Sequence, residues 1–343
     1  MAHAAHVRSS AALLGAGLLA GLALARRRRP ASLRGACALV TGGSRGLGLL
    51  VARELAARGA RLVLCARDEE ELERARRELE RAGAEVLAVA CDVSDPAAVE
   101  RLVARAEARF GPVDVLVNDA SIIQVAPAEA LSLEDLRAAL AVNFWGTVHC
   151  TLAVLPGMRA RRAGRIVDVT SIGGTVAVPH LLGYSSAKFA AVGFSTGLAA
   201  EVGRDGVRVT TVVPGLMRTG SFLHALVKGQ RREEARLFAV VSSLPLLTLD
   251  AGRAARRIVR ACERGERFVT LGWPWKALRV AHALAPGLSV VLLALVSRLL
   301  PRAGGERPEA APDPVWRQRP GRSAATALGD AAAAENNERP AHP

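Results

Sequence analysis

A chain of 343 residues, half of them apolar, holds enough hydrophobic material for one large core or two ordinary ones. Its net charge of +14 comes almost wholly from arginine, yet aromatics make up 3 %, zinc-finger spacings are absent and acids lie among the arginines. Nucleic acid as a partner is therefore set aside, and attraction to an anionic membrane surface suits the charge better. The five cysteines form no CxxC pair and share no ligand spacing with the seven histidines, so buried reduced thiols and no metal are expected.

Residues 11–25 carry no charge, and residues 26–29 are four arginines. Fifteen residues fall short of the roughly 20 that span a bilayer. Ala23-Leu24-Ala25 resembles a signal-peptidase site. Four arginines directly behind an apolar run hinder export and hold that side in the cytoplasm. The expectation is an uncleaved N-terminal anchor with a basic flank over residues 1–34 and a catalytic body on the cytoplasmic side. An export signal and a peripheral helix are the alternatives.

From Gly35 onward strands alternate with amphipathic helices. Strands are predicted at 36–40, 61–65, 85–90, 113–117, 165–170, 207–213 and 267–271. Helices are predicted to about Arg58, from Asp68 past Leu79, around 99–110, over 136–162 (as one or two), 184–203 and 251–263. Asp68 and Glu71 have capping-box spacing. Regular alternation implies an α/β class: one Rossmann-type, doubly wound parallel sheet over residues 35–272, covered on both faces.

Between the first strand and its helix stand Thr41, Gly42, Ser44, Arg45, Gly46, Leu47 and Gly48. Glycines there let backbone N–H groups approach a pyrophosphate, which a helix N-terminus also attracts. The second strand ends in Ala66 and Arg67, where an NAD-preferring site would carry an acid. Arg45 and Arg67 could clamp a 2′-phosphate, favouring NADP(H) over NAD(H). Asp68 reads as a helix cap. Asp92, with Val93 beside it, either accepts a hydrogen bond from adenine or caps the helix beyond Pro96.

Tyr184 is the only tyrosine, and Lys188 stands four residues on. Positions i and i+4 share a helix face, so ammonium and phenol can enter one site, and the ammonium would lower the phenol's pKa toward working pH. Tyr184 is thus a candidate proton donor and acceptor.

Taken together, the chain resembles the short-chain dehydrogenase/reductase (SDR) family, in membrane-associated form. The matching residues are Thr41-Gly42-x3-Gly46-x-Gly48, Asp92, Asn118 to Ser121 where the family has Asn-Asn-Ala-Gly, Asn143, Ser171, Tyr184-x3-Lys188, and Pro214-Gly215 with Thr219. Their order and spacing hold over about 240 residues. The resemblance implies that Ser171 polarises a substrate carbonyl, Tyr184 delivers the proton, and Lys188 binds the nicotinamide ribose and holds the phenol's pKa down. It further implies that Asn143 positions a water. Asn118 and Ala120 would support the cofactor, and Pro214, Gly215 and Thr219 would contact its nicotinamide half. Asp119 and Ser121 depart from the pattern; serine is a costly fit if its position needs positive φ. Dimers or tetramers through helices 136–162 and 184–203 are also implied.

Between Thr219 and Asp250 the apolar residues Phe222, Leu223, Leu226, Leu237, Phe238, Val240, Val241, Leu244, Leu246 and Leu247 suggest either a lid over a hydrophobic (lipid-, steroid- or acyl-like) ketone or alcohol, or ordinary core packing. Residues 273–301 are apolar but broken by Arg279, His282 and Pro286. They fit either a membrane-interface helix or a helix pair covering the substrate mouth. Residues 302–343 are expected to be disordered. The leading expectation is an NADP(H)-dependent carbonyl reductase; the rival is a non-catalytic NADP(H)-binding or lipid-sensing protein of the same fold.

Overall fold

The structure is a computed structural model describing residues 30–338, apart from Leu246, Arg319, Pro320 and Arg322. The chain divides into Met1–Ser32 and Leu33–Pro343. The anchor expected at 11–25 lies outside the described residues.

Seven strands form the central sheet: β1 (Cys37–Thr41), β2 (Arg61–Ala66), β3 (Val86–Ala90), β4 (Val115–Asn118), β5 (Gly164–Val169), β6 (Val207–Pro214) and β7 (Phe268–Leu271). Their spatial order is β7-β6-β5-β4-β1-β2-β3, and every pairing is parallel. The order reverses beside β1, where Thr41 stands level with Cys65 on one side and Asn118 on the other. In such sheets the crevice at that reversal, at the carboxyl ends of the strands, is where ligands bind.

Side chains alternate across the sheet. From β1, Ala38 and Val40 pack with Leu49 and Leu55 of α1 (Gly46–Ala56), Leu72 and Leu79 of α2 (Glu69–Arg81), and Ile258 of the later Ala251–Arg264 helix. Cys37 and Leu39 face the other way, onto Leu102 of α3 (Pro96–Phe110) and Val154 of the later Gly146–Ala160 helix. All five cysteines are buried and free. Asp95, not Asp92, caps α3 through the Ala97 N–H (2.9 Å), because it directly precedes Pro96.

Helix α4 (Leu133–Leu140) runs through a π turn (Ala141–Trp145) into α5 (Gly146–Ala160). The 28 residues Leu133–Ala160 are apolar enough to cross a membrane by composition, but half of their most apolar 18-residue window is buried in the body. They form a core helix packed on α3 and on α6 (Leu182–Glu201).

Beyond the sheet come α7 (Arg231–Val241), α8 (Ala251–Arg264), then α9 (Trp273–Leu284) and α10 (Pro286–Ser297), an apolar pair. Residues 302–338 correct the expectation of disorder. Asp313–Pro314 pairs with Leu226–Val227, which pairs in turn with Gln124–Val125. Arg231 is ion-paired with both Glu306 and Asp313, and Val315 is fully buried. The segment closes with α11 (Val315–Gln318) and α12 (Ala327–Glu335). Composition counts apolar residues over a window. Here a few residues meet partners far away in sequence, and that outweighs the polar average.

Candidate active site

A cavity of about 1400 Å³ opens at the carboxyl ends of the strands. Its wall includes Gly42, Ser44, Arg45, Gly46, Leu47, Arg67, Asp92, Val93 and Ala120 at one end. Ser171, Tyr184, Lys188, Pro214, Gly215 and Thr219 line the other. Sequence neighbours of the glycine loop and residues more than 120 positions away thus share one space.

At the loop, a Cβ on Gly48 would lie 2.1 Å from the Gly42 carbonyl oxygen, so only glycine lets α1 seat this close to the turn. Thr41 and Gly48 lie behind the cavity wall. The Thr41 hydroxyl accepts from the N–H groups of Asp119 (3.1 Å) and Ala120 (3.2 Å), tying the loop to the end of β4. Arg45 does not form a free clamp with Arg67. Its guanidinium meets Glu71 at 3.1 Å and Glu338 at 3.6 Å, while Arg67 is exposed at the rim. Glu71 had been assigned to a capping box. Only half of that box forms, Asp68 accepting from the Glu71 N–H (2.8 Å), and the Glu71 carboxylate turns instead to Ser44 (3.3 Å) and Arg45. Asp92 accepts from the N–H (2.9 Å) and hydroxyl (2.7 Å) of Ser94, which aims it along the cavity wall.

Asn118 is absent from the wall. Its Nδ2 donates to Asp168 (2.8 Å) and Thr151 (3.1 Å), so it braces β4 against β5 and α5 rather than facing a ligand. Asn143 is fully buried in the π turn, a helix irregularity that often marks functional sites. Its Oδ1 accepts from the Ser121 hydroxyl (2.7 Å) and the Ile122 N–H (3.0 Å), and its Nδ2 donates to the Ile122 carbonyl (3.0 Å). The side chain is therefore committed to the 121–122 segment. Positive φ outside glycine occurs, among the described residues, only at Arg162, His180 and Asn337. Ser121 thus fits without strain, and its hydroxyl supplies a bond that glycine could not.

Ser171 follows β5 and caps a short turn by accepting from the Gly173 N–H (3.0 Å), which places its hydroxyl beside the Tyr184 ring, on the side where it favours the phenolate. One turn along α6, the Lys188 Nζ donates to the Val169 carbonyl (3.1 Å) and lies 5.7 Å from the centre of the Tyr184 ring. Burial pushes the phenol up to about 12; Ser171 pulls the other way and Asp119 adds to the rise. Burial likewise lowers Lys188, against the raising influence of Asp119 and Asp168. Asp119 is itself raised by burial, held back by Lys188 and the Gly48 N–H. For this chain by itself the phenol is therefore raised rather than acidic as expected: desolvation and Asp119 outweigh the lowering influence of Ser171.

The far wall is apolar. Phe222, Leu226, Leu237, Phe238 and Val241 line it, joined by Trp275, Leu293, Val296 and Leu300 from the helix pair and its end. Trp275 lies so close to Gly215 that a Cβ there would meet the indole at 2.0 Å. Among these lies one polar pair, His180 bound through Nδ1 to the buried Glu234 at 2.7 Å. The sequence gives no sign of Glu234 or Glu338 at the cavity, and it marks Glu71 only as a helix-cap partner. Trp275 carries a signal, as one of two tryptophans opening the apolar extension.

The cavity suits a dinucleotide on the chain's own chemistry: backbone N–H groups at a helix start, Ser44 and Arg45, and a carboxylate oxygen already seated against Gly46. Known proteins agree. The short chain dehydrogenase family model matches residues 36–226. A Streptomyces coelicolor protein named for ketoacyl reduction is 41% identical over 249 residues, 72% of this chain and 94% of its own. The 11-beta-hydroxysteroid dehydrogenase A of Sesamum indicum is 37% identical, across 69% of this chain and 68% of that protein. The crystal structure of a metagenomic short-chain oxidoreductase in complex with NADP is 36% identical, with a TM-score of 0.52 over 55% of this chain and 86% of that one. With its sheet order, glycine loop and Ser171–Tyr184–Lys188 cluster, the chain belongs to the short-chain dehydrogenase family of NAD(P)-binding oxidoreductases.

Proposed function

We propose that this oxidoreductase interconverts a ketone or aldehyde with an alcohol on a hydrophobic substrate, using NADP(H), with Tyr184 as proton donor and acceptor. The observation that carries this reading is that Ser171, Tyr184 and Lys188 line one cavity with the glycine loop, the Lys188 ammonium 5.7 Å from the centre of the phenol ring. When bound, the nicotinamide supplies or accepts the hydride. Negative charge then builds on the carbonyl oxygen. The Ser171 and Tyr184 hydroxyls are donors already oriented toward it, and preorganised donors stabilise such charge at no cost of reorientation. A phenol held neutral by burial is the right state for giving a proton in the reductive direction. Lys188 is held next to the phenol to steady the phenolate left behind. Asn143 acts by fixing Ser121 and Ile122 under the ring-side wall.

Gly42, Ser44, Arg45, Gly46, Leu47, Asp92, Val93, Ala120, Pro214, Gly215 and Thr219 would hold the dinucleotide, with Arg67 at the rim favouring the 2′-phosphate. The apolar far wall supports a lipid-, steroid- or acyl-like substrate. Exposed Trp273, Leu284, Leu288, Val291 and Leu299 on and beside α9 and α10 support seating on a membrane surface. Exposed Trp145, Leu152 and Phe189 on the helices at 141–160 and on α6 support a homo-oligomer.

The test is NADPH oxidation against a panel of ketones graded in chain length, for wild type and Tyr184→Phe. Turnover that rises with hydrophobicity and vanishes in the variant supports the reading. Dinucleotide binding without turnover of any panel member would overturn it.

A further inference from the structure

The glycine loop already has an occupant, and it belongs to the chain itself. Helix α12 ends at Glu335, and residues 336–338 run into the dinucleotide end of the cavity. The Gly46 N–H donates to the Asn336 carbonyl (2.8 Å), one of the loop donors a pyrophosphate needs. Asn336 Nδ2 reaches across to the Thr219 carbonyl (3.1 Å), and Asn337 Nδ2 donates to the carbonyls of Ser44 (2.8 Å) and Glu71 (3.0 Å). Arg53 holds the Glu335 carbonyl at 2.9 Å, and Arg74 holds the Asn337 Oδ1 at 2.9 Å. Asn337 takes φ of +57° to make the turn.

Glu338 is the tip. It is 1% exposed, and a Cβ on Gly46 would meet its Oε1 at 2.3 Å with Thr219 also in contact. Its Oε2 has no hydrogen-bond partner, only the Arg45 Nε at 3.6 Å and the His224 Nε2 at 3.4 Å. A carboxyl oxygen, its pKa pushed up to about 8 by burial, thus lies between the glycine loop and Thr219, the two elements that would close on a pyrophosphate.

We propose that residues 335–338 are a built-in competitor for the dinucleotide: docked, their backbone and the Glu338 carboxylate fill the pyrophosphate seat, and cofactor binds only when they leave. This rests on the glycine loop being the dinucleotide seat. Two ligands that exclude each other reduce the apparent affinity of the one added by the fraction of chains whose seat is open. Asn336 and Asn337 hold backbone carbonyls of both flanking walls, so the docked tail also ties Thr219 to the loop. Release therefore frees the nicotinamide-side segment as well as the seat.

The experiment uses the full chain and its Asn336→Ala, Asn337→Ala, Glu338→Ala triple variant, with NADPH and NADP⁺ as probes. Hydrogen exchange over residues 327–338 is followed by mass spectrometry with and without saturating dinucleotide, and affinity is measured by calorimetry. Slow exchange in the free chain that quickens about tenfold at saturation is expected, together with a Kd about tenfold tighter in the variant. Unchanged protection at saturation, or a variant that binds no tighter, overturns the inference. Should the variant fail to fold, the exchange experiment on the wild-type chain decides alone. Absence of dinucleotide binding in both chains would instead remove the reading of the loop, and the inference with it; binding without competition removes the inference only.

Discussion

At the glycine-loop end of the cavity the wall is backbone and charge: Gly46, Ser44, Arg45 against Glu71, and a carboxylate from the tail. At the other end two hydroxyls and an ammonium stand before a wall of leucine, valine, phenylalanine and tryptophan. The first end is dictated locally, by a turn that admits no Cβ, and it recognises an ionic group by geometry. The second is assembled from four separate stretches of chain, and its apolar wall recognises by exclusion of water. The contrast teaches where a substitution will be absolute and where it will be graded. Tyr184, Lys188 and Thr219 share one cavity with the glycine loop, so the chemistry lies on the seam.

The largest effect is expected on that seam. Tyr184→Phe removes the phenol hydroxyl beside Ser171, the proposed proton donor, and should cut kcat/KM by about 10²–10⁴-fold. Dinucleotide affinity should stay within about twofold, because the phenol ring still fills its place. Steady-state kinetics beside calorimetry checks both. Equal loss of binding and turnover would mean the phenol is part of the cofactor seat. Next comes Gly48→Ala, whose Cβ has nowhere to go but the Gly42 carbonyl. Dinucleotide affinity should fall by tenfold or more, and no gain from a more hydrophobic substrate should rescue it. Trp275→Ala tests the opposite end. Removing an indole packed on Gly215 and facing the cavity should raise KM for the longest ketones by about tenfold, roughly the loss expected for a partly buried aromatic contact. The shortest ketones should be nearly unaffected. A uniform loss across the panel would make Trp275 a prop for Gly215 rather than a substrate wall.

Much of the first end was legible in the chain, and less of the second. The strand and helix rhythm, the glycine spacing and the Ser171, Tyr184 and Lys188 cluster are local or fixed-distance signals, and all seven strands stand where the alternation puts them. What escaped was anything decided by a distant partner. Asn118 looked like a ligand contact until Asp168 and Thr151 claimed its amide. Arg45 looked free until Glu71 turned toward it. The tail averaged out as disordered because alanine and proline say nothing of two asparagines that fit carbonyls 117 to 293 positions earlier. The phenol's pKa went the wrong way for the same reason. Spacing shows that Lys188 is near, but only the fold shows that Lys188 is buried and that the phenol is half-buried on the cavity wall.

That desolvation gives a pH prediction smaller than the substitutions above. Asp119 raises Tyr184, so Asp119→Asn should let the phenol ionise at lower pH. In alcohol oxidation, which needs the phenolate as base, the acid limb of the pH–rate profile should move to lower pH by about one unit or less. In carbonyl reduction, which needs the neutral phenol, the alkaline limb should move the same way. A shift to higher pH would mean that Lys188, deprived of its carboxylate, loses its charge and its hold on the phenolate first.

The smallest expected change tests whether the departures at 119 and 121 are faults or repairs. Ser121 donates to Asn143 at 2.7 Å, and that amide also fixes Ile122 from both sides. Ser121→Gly would keep the backbone angle, remove one part-buried hydrogen bond, and add freedom to the unfolded chain. Each of the two effects costs about 1 kcal/mol. Urea unfolding should therefore show a loss of about 1–2 kcal/mol, with kcat nearly unchanged, since the reacting hydroxyls are not bonded to this segment. Ser121→Ala separates the parts by removing the hydroxyl alone, and should lose about half as much. Were Ser121→Gly to stabilise the protein, glycine would be the better fit there and the bond to Asn143 incidental. A loss of turnover at full stability would instead mean that the brace sets the position of the ring-side wall, and would move Asn143 from the framework to the chemistry.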